Sequence, residues 1–479
     1  MNLKDIFKNA PDIEIEQLST DSRLPMKNAI FFCLDGIKYD GHDYIEQAIE
    51  NGAKVIVYSK DLKSKGNAVY VRVNDVNNTL SKIADAFYGH PNKDINKYII
   101  SGCYGRSSVS SIISFYLNKV SNCATVGTFG INYLDRHLDI AFPALTPLEN
   151  LKTLEKFKKS NIKNAVFETS AISLYYKKLD VIKPNVFIYT NTSKYCSDFK
   201  VCNNYYFENI RRYLYTLEDS TFVLLNGDDE SYEELKESVN NYLTYGYKSY
   251  CNYRISNVFL GRGSSQFKLT FDGNTYSINT RLLGLANVYN LTCAIAALNI
   301  QGYDIKNIID VLYEMDCIDG VMELVDDNSH VIVDCGYEID SIINVLEYAK
   351  NTTKGRIITI MGINYTDNDE RLRLIISALE KYSDIITLTE DESLQGEVNN
   401  ILSRTDKFIK HNKVLKIPYR SIAIENGINI MNDNDTLLIL GKGNEKYLSM
   451  GLGKEKYLGD KYYANKYLRK KEEEKNETI

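Results

Sequence analysis

Short apolar runs recur along this chain, each closed by polar residues or a glycine turn and followed by helical spacing. That alternation leaves few architectures open. Strands joined through helices cross over into parallel sheets covered on both faces. Near the N-terminus, residues 29–33 and 54–58 read as strands, and residues 44–51 as a helix stopped by Gly52. A second set of strands falls at 98–101, 165–167, 186–189 and 221–225. A third falls at 331–333, 357–360, 385–388 and 437–440. Several of these runs end in residues that carry chemistry: Glu168-Thr-Ser170, Thr190-Asn-Thr-Ser193 and Asn226-Gly-Asp-Asp229. Ligands of open parallel sheets bind just past strand C-termini, so these are candidate site loops. Residues 289–298 make an alanine-rich helix suited to burial. The fold class is α/β.

At 479 residues the chain exceeds what one core supports and divides into about three domains. The divisions are expected at 1–92, 93–318 and 319–452, with a charged tail at 453–479. That tail, rich in Lys, Glu and Tyr, reads as a frayed helix or disorder. With 44% apolar and 25% charged residues the chain is globular, and a net charge of −6 argues against a nucleic-acid partner. No apolar run reaches membrane-spanning length and no N-terminal leader pattern is present, so a cytoplasmic protein is expected. Nine cysteines without a C-x-x-C pair point to reduced thiols. Five histidines without an H-x-x-x-H pair argue against a histidine metal centre.

The segment Tyr98-Ile-Ile-Ser-Gly102-Cys-Tyr-Gly105-Arg106-Ser107-Ser108 reads as a buried strand, a glycine turn and a helix start. This is the layout of a nucleotide phosphate loop, in which backbone N–H groups approach phosphate oxygens that a Cβ would obstruct. Lysine ordinarily sits where Arg106 stands, and the hydroxyl after it, here Ser107, holds Mg²⁺. Arginine keeps the charge but is longer, planar and forked.

In order along the chain, further segments carry a resemblance. They are Thr20-Asp-Ser-Arg23 with Tyr39-Asp-Gly41, Ala84-Asp-Ala-Phe-Tyr-Gly-His-Pro91, Gly127-Thr-Phe-Gly130, Thr146-Pro147 and Gly284-Leu-Ala-Asn-Val-Tyr-Asn290. Met322-Glu323, Val331-Ile-Val-Asp334 and Gly441-Lys-Gly443 complete the series. Together they resemble the Mur ligases over nearly the whole chain, and within them the MurE type, which adds the third peptide residue. The resemblance implies an N-terminal UDP-binding α/β domain, a central P-loop-type parallel-sheet ATPase domain and a C-terminal Rossmann-like domain. It implies ATP and Mg²⁺ as cofactors, a UDP-muramyl-type ligand, and an intact Mur ligase or another cell-wall enzyme as candidate partner.

It also implies site roles. Gly102, Gly105, Arg106, Ser107, Ser108, Asn287 and Asp334 would meet the nucleotide, and Ser107 and Glu168 the metal. Ser22, Thr146, Ser170, Asp391 and Glu445 would meet substrate. Arg106, Arg211 and Glu168 occupy the catalytic positions. Glu168 and Ser170 follow an apolar strand and have helix capping as the plainer alternative.

This chain departs from the family pattern at several of these positions. The P-loop lysine is Arg106. The metal-binding histidine that follows T-N-x-S is Cys196, in Lys194-Tyr-Cys196. The lysine that would be carbamylated aligns with Arg211, expected with Arg106 near the γ-phosphate. The family's G-R-M-E is Gly320-Val321-Met-Glu, its D-Y-A-H is Asp334-Cys-Gly-Tyr337, and its D-N-P-R amino-acid pocket is Asp391-Glu-Ser-Leu394. Its G-K-G-H-E is Gly441-Lys-Gly-Asn444-Glu445. Phosphoryl transfer depends mostly on positioned charge, so these losses together predict a degenerate ligase with weak or lost ATP binding. A diverged, active ATP-dependent amide ligase is the alternative.

Overall fold

A computed structural model describes the chain except residues 36–38, 63–65, 141–144, 194, 196–205, 328, 393–396, 411–412, 451–452 and 478–479. Lys194, Cys196 and Leu394 therefore lie outside the described residues.

Each predicted strand is present, and the strands sort into three main sheets. The N-terminal sheet is parallel, with Gln17–Ser19, Ala29–Phe32, Ala53–Tyr58 and Val69–Arg72 side by side in chain order. The central sheet has eleven strands. Its parallel middle runs Tyr242–Gly246, Phe222–Asn226, Val186–Tyr189, Asn96–Ser101, Asn164–Glu168 and Cys123–Gly127. Antiparallel hairpins extend it at both edges, through Arg136–Leu138 on one side and Asn274–Thr280 on the other. The C-terminal sheet has six strands, parallel apart from the short Glu323–Leu324.

The middle strands are apolar along their length because helices cover both faces. The helix Arg106–Val120 and the alanine-rich helix Gly284–Ile300 share one core with Tyr98, Ile100, Val186 and Leu224. The helix Pro147–Lys159 covers the opposite face. There Leu151, Leu154 and Phe157 join a core that runs on into Ile30, Phe32, Val55 and Val57 of the N-terminal sheet. The first two sheets therefore share one continuous apolar interior.

The charged end of the chain differs from the disorder or frayed helix expected for it. Residues Asp460–Glu477 form a helix. Its Ala464 and Tyr467 pack on Ala423, Ile424 and Ile428. Asp460, fully buried, pairs with buried Arg420 at 2.7 Å and accepts the Tyr457 hydroxyl at 2.7 Å. A single apolar stripe, Tyr463-Ala464 and Tyr467-Leu468, was concealed among Lys and Glu; its i, i+4 spacing is what docks the helix.

Among the described residues, no helix is long and apolar enough to cross a membrane. No disulfide joins the described cysteines.

Candidate active site

The strand Asn96–Ser101 ends in the loop Gly102–Gly105, and Gly105 opens the helix Arg106–Val120. Gly102 and Gly105 have φ of +131° and +80°. A Cβ at Gly102 would collide with Thr190, and one at Gly105 would lie 2.6 Å from Asn290 Oδ1, so both turns need glycine. The neighbouring strand end holds the loop from the side. Asn191 Oδ1 accepts from Tyr104 N at 3.0 Å, its Nδ2 donates to Tyr104 O at 3.0 Å, and Thr190 Oγ1 donates to the same carbonyl at 2.9 Å.

Arg106 does not point away from this loop. Its guanidinium donates to the carbonyl of Gly102 and, at 3.1 Å, to that of Cys103. The charge that a lysine would extend toward phosphate is therefore folded onto the loop's own carbonyls.

Beside it, three oxygen-bearing side chains converge. Ser107 Oγ donates to Glu168 Oε2 at 2.7 Å, and Thr128 Oγ1 donates to the same oxygen at 2.9 Å. Glu168 closes the strand Asn164–Glu168, whereas Ser107 begins the loop helix and Thr128 follows the strand Cys123–Gly127. Two hydroxyls and a carboxylate are hard oxygen donors of the kind Mg²⁺ takes, so the residues fit that ion.

The loops past the strand ends of the central and C-terminal sheets face each other across a cavity of about 570 Å³. Arg106, Ser107, Ser108, Asn287 and Asn290 line one wall; Asp334, Asp391, Lys442 and Glu445 line the other. Asn287 is buried, donating to Leu283 O at 2.9 Å and accepting from Asn290 at 3.1 Å. Asp334 accepts the N–H groups of Met322 and Gly336 at 2.8 and 2.6 Å. Burial nevertheless pushes its carboxyl up to about 6, against the lowering effect of those N–H groups.

Lys442 lies 3.1 Å from Asp391 and 2.6 Å from Glu445, with its side chain 1% exposed. Burial pulls the ammonium's pKa down, but the two carboxylates outweigh it and hold the pKa above the usual value; burial raises Glu445. The C-terminal wall thus carries a compact, internally paired charge cluster.

The cavity brings together Gly105, Arg106, Ser107, Ser108, Asn287, Asp334, Asp391 and Glu445 of the expected set. Other expected residues lie elsewhere. Arg211 does not line the cavity; on the helix Tyr206–Leu214 it pairs with Glu234 at 3.1 Å. Its guanidinium is taken by a carboxylate on a neighbouring helix. Ser22 is buried in the N-terminal domain and donates its hydroxyl to Gln47 at 2.6 Å. Thr146 is the N-cap of Pro147–Lys159, in a reciprocal capping box with Glu149. Ser170 caps Ala171–Tyr175, the plainer alternative read from the sequence, whereas Glu168 faces Ser107. Thr128, Asn290 and Lys442 were quoted within motifs but given no role. Only the fold, by joining loops far apart in sequence, reveals what they touch.

Three profiles of one family match the chain in succession: "Mur ligase family, catalytic domain" over residues 14–88, "Mur ligase middle domain" over 100–298 and "Mur ligase, glutamate ligase domain" over 322–443. A UDP-N-acetylmuramoyl-L-alanyl-D-glutamate–2,6-diaminopimelate ligase of Clostridium tetani is 30% identical over 465 residues, covering 93% of this chain and 95% of its own. A UDP-N-acetylmuramyl-tripeptide synthetase of Borrelia garinii is 28% identical, covering 91% and 90%. Among solved structures, a UDP-N-acetylmuramoyl-L-alanyl-D-glutamate–2,6-diaminopimelate ligase aligns with a TM-score of 0.72 at 20% identity, covering 98% of this chain and 99% of that one. A Thermotoga maritima MurF ligase in complex with ADP aligns at 0.60 with 14% identity, covering 96% and 98%. The chain belongs to the Mur ligase family. Within that family it is of the MurE type, a homologue of the enzymes of peptidoglycan-precursor synthesis.

Proposed function

We propose that this chain is a degenerate MurE-like ligase that keeps a UDP-muramyl-type ligand, or a partner among cell-wall enzymes, but no longer couples ATP to amide formation. The observation that carries the reading is Arg106, whose guanidinium caps the carbonyls of Gly102 and Cys103 instead of standing free for phosphate. ATP would meet the loop Gly102–Gly105, Asn287 and Asp334, and Mg²⁺ would meet Ser107, Thr128 and Glu168. The ion's chemistry there would be to neutralise phosphate charge. Arg106 must leave its carbonyls before phosphate can enter, which predicts weak nucleotide binding. Val321 in place of the family's arginine removes another cation from the cavity wall.

We assign UDP-muramyl binding to residues 1–92, nucleotide binding to 93–318 and the ligase domain to 319–452, with the helix after 453 packed on this last unit. A cytoplasmic place follows from the nucleotide-linked substrates in the relatives' names.

The second reading, an active diverged ligase, is favoured by the convergence of Ser107, Thr128 and Glu168. One experiment separates the two. Protein at substrate-level concentration is incubated with UDP-muramyl dipeptide, Mg-ATP and a pool of amino acids, and amide products are sought by mass spectrometry. No product is expected. An ATP-dependent product that disappears in Ser107→Ala overturns the degenerate-ligase reading. Titration calorimetry with UDP-muramyl dipeptide tests the retained ligand; neither heat nor thermal stabilisation would remove that part, since a bound ligand must stabilise by mass action.

A further inference from the structure

We propose that the outer edge of the central sheet, the strand Asn274–Thr280, is a self-association surface that pairs antiparallel with the same strand of a second copy of this chain. The strand ends the eleven-stranded sheet, and its ladder with Ser265–Phe271 runs over seven residue pairs without a shift. Among the described residues no further strand lies beyond it. The other outer strands of the three main sheets have two to four residues, and Arg136–Leu138, Val414–Lys416 and Val69–Arg72 carry a basic residue. Natural sheets blunt their edges in this way, by shortness, charge, proline or bulges. Asn274–Thr280 has seven residues and none of those devices.

The hairpin fixes which backbone groups the edge offers. Its two-residue turn, Asp272 and Gly273, has φ of +47° and +74°, both positive as in the type I′ turn that closes on a hydrogen-bonded pair, here Phe271 with Asn274. Hydrogen-bonded and open positions then alternate along the ladder. Asn274, Tyr276, Ile278 and Thr280 turn their N–H and C=O groups inward, so those of Thr275, Ser277 and Asn279 face outward. These last three residues are exposed.

The occupant follows from the strand's own sequence, N-T-Y-S-I-N-T, which is complementary to itself when reversed about Ser277. Ser277 then meets its own copy, Thr275 meets Asn279, and Tyr276 meets Ile278, an aromatic ring against a β-branched residue. No like charges oppose each other along the strand. At each end Arg281 arrives opposite Gly273 of the second copy, beside its Asp272, so opposite charges meet. Arg281 keeps 48% of its side chain exposed while pairing with Asp316 at 3.3 Å. Lys268, opposite Ser277 on the adjoining strand, stays three strand spacings from its copy, about 14 Å, beyond the screening length of about 8 Å. One strand pair buries less than a standard interface, so association is reversible, with a Kd of about 10–100 µM. This surface does not depend on whether the protein ligates.

The test is sedimentation velocity on the full chain from roughly 1 to 200 µM, a range that brackets the expected Kd. A reversible dimer is expected. Ser277→Lys sets two ammonium groups opposite each other at the symmetry axis and should weaken the dimer roughly tenfold or more, with unchanged melting. Ser277→Cys serves if that variant folds poorly. Its thiols would face each other across a pair with Cα atoms about 5.5 Å apart, inside disulfide range, so mild oxidant should give a covalent dimer that the unmodified chain does not form. Thr275→Cys, whose copies lie four residues out of register and about 14 Å apart, should give none. A monomer throughout the range overturns the proposal and leaves the edge to another partner or to none. So does a dimer that persists in folded Ser277→Lys, or crosslinking through Thr275→Cys in place of Ser277→Cys.

Discussion

Arg106 differs from a lysine in shape rather than in sign. A forked guanidinium can bridge two carbonyls, and here it bridges those of Gly102 and Cys103. Arg106→Lys removes the fork while keeping the charge, and should tighten Mg-ATP binding by roughly tenfold, read by calorimetry. An unmodified protein that already binds Mg-ATP at low micromolar Kd would contradict this account. Asp334 gives a second prediction. Its carboxyl is raised to about 6 by burial, so folding favours the protonated form. The stability this contributes is present at low pH and is lost as pH rises through about 6. Relative to Asp334→Asn, the unmodified protein should therefore lose stability between about pH 4 and 7, by up to about 3 kcal/mol. Urea melts of both proteins across that range are the measurement; parallel curves would show that the burial effect is absent.

At the scale of elements, the terminal helix Asp460–Glu477 belongs to the C-terminal core. Asp460 and Arg420 are both fully buried, and Arg420 also donates to Leu440 O at 2.9 Å. Asp460→Ala leaves a buried guanidinium unpaired and should cost about 3–5 kcal/mol. Replacing both partners, Arg420→Met with Asp460→Leu, should cost much less, because no charge is then stranded. Denaturation of the single and double variants distinguishes this from a helix that merely rests on the surface, for which both changes would be small. Such docking was not legible beforehand. The stripe Tyr463-Ala464, Tyr467-Leu468 is short, the flanking Lys and Glu residues dominate any local average, and Arg420 is forty residues away in sequence.

Over the whole molecule, the cavity depends on how the central and C-terminal domains meet. Ser193 donates to Asp340, and Tyr348 donates to the carbonyls of Gly261 and Arg262 at 2.7 and 3.1 Å. The departures from the family pattern lie on both sides of this junction: Arg106 on the central wall, Val321 and Asn444 on the other. On the degenerate-ligase proposal, ligation should be absent in Arg106→Lys and in Arg211→Lys alike. For Arg211 the reason is its pairing with Glu234, outside the cavity, so the substitution changes a surface ion pair worth about 1 kcal/mol or less. Product formation by either single variant, in the mass-spectrometric assay, would refute this.

The α/β class, the predicted strands, the glycine turn before Arg106 and the Mur-type order of motifs were all legible in the sequence. They are local: each rests on the spacing of apolar residues or on a glycine that one turn requires. What each polar side chain touches is not local. Ser107, Thr128 and Glu168 meet because strands far apart in the chain are neighbours in the sheet. Motif position gave Arg211 a catalytic place and Ser22 a substrate contact; in the fold Arg211 pairs with Glu234 and Ser22 donates to Gln47, partners that motif position does not show. A side chain's partner is set by the packing of several elements at once, and the assembled fold alone selects among the charges and hydroxyls within reach.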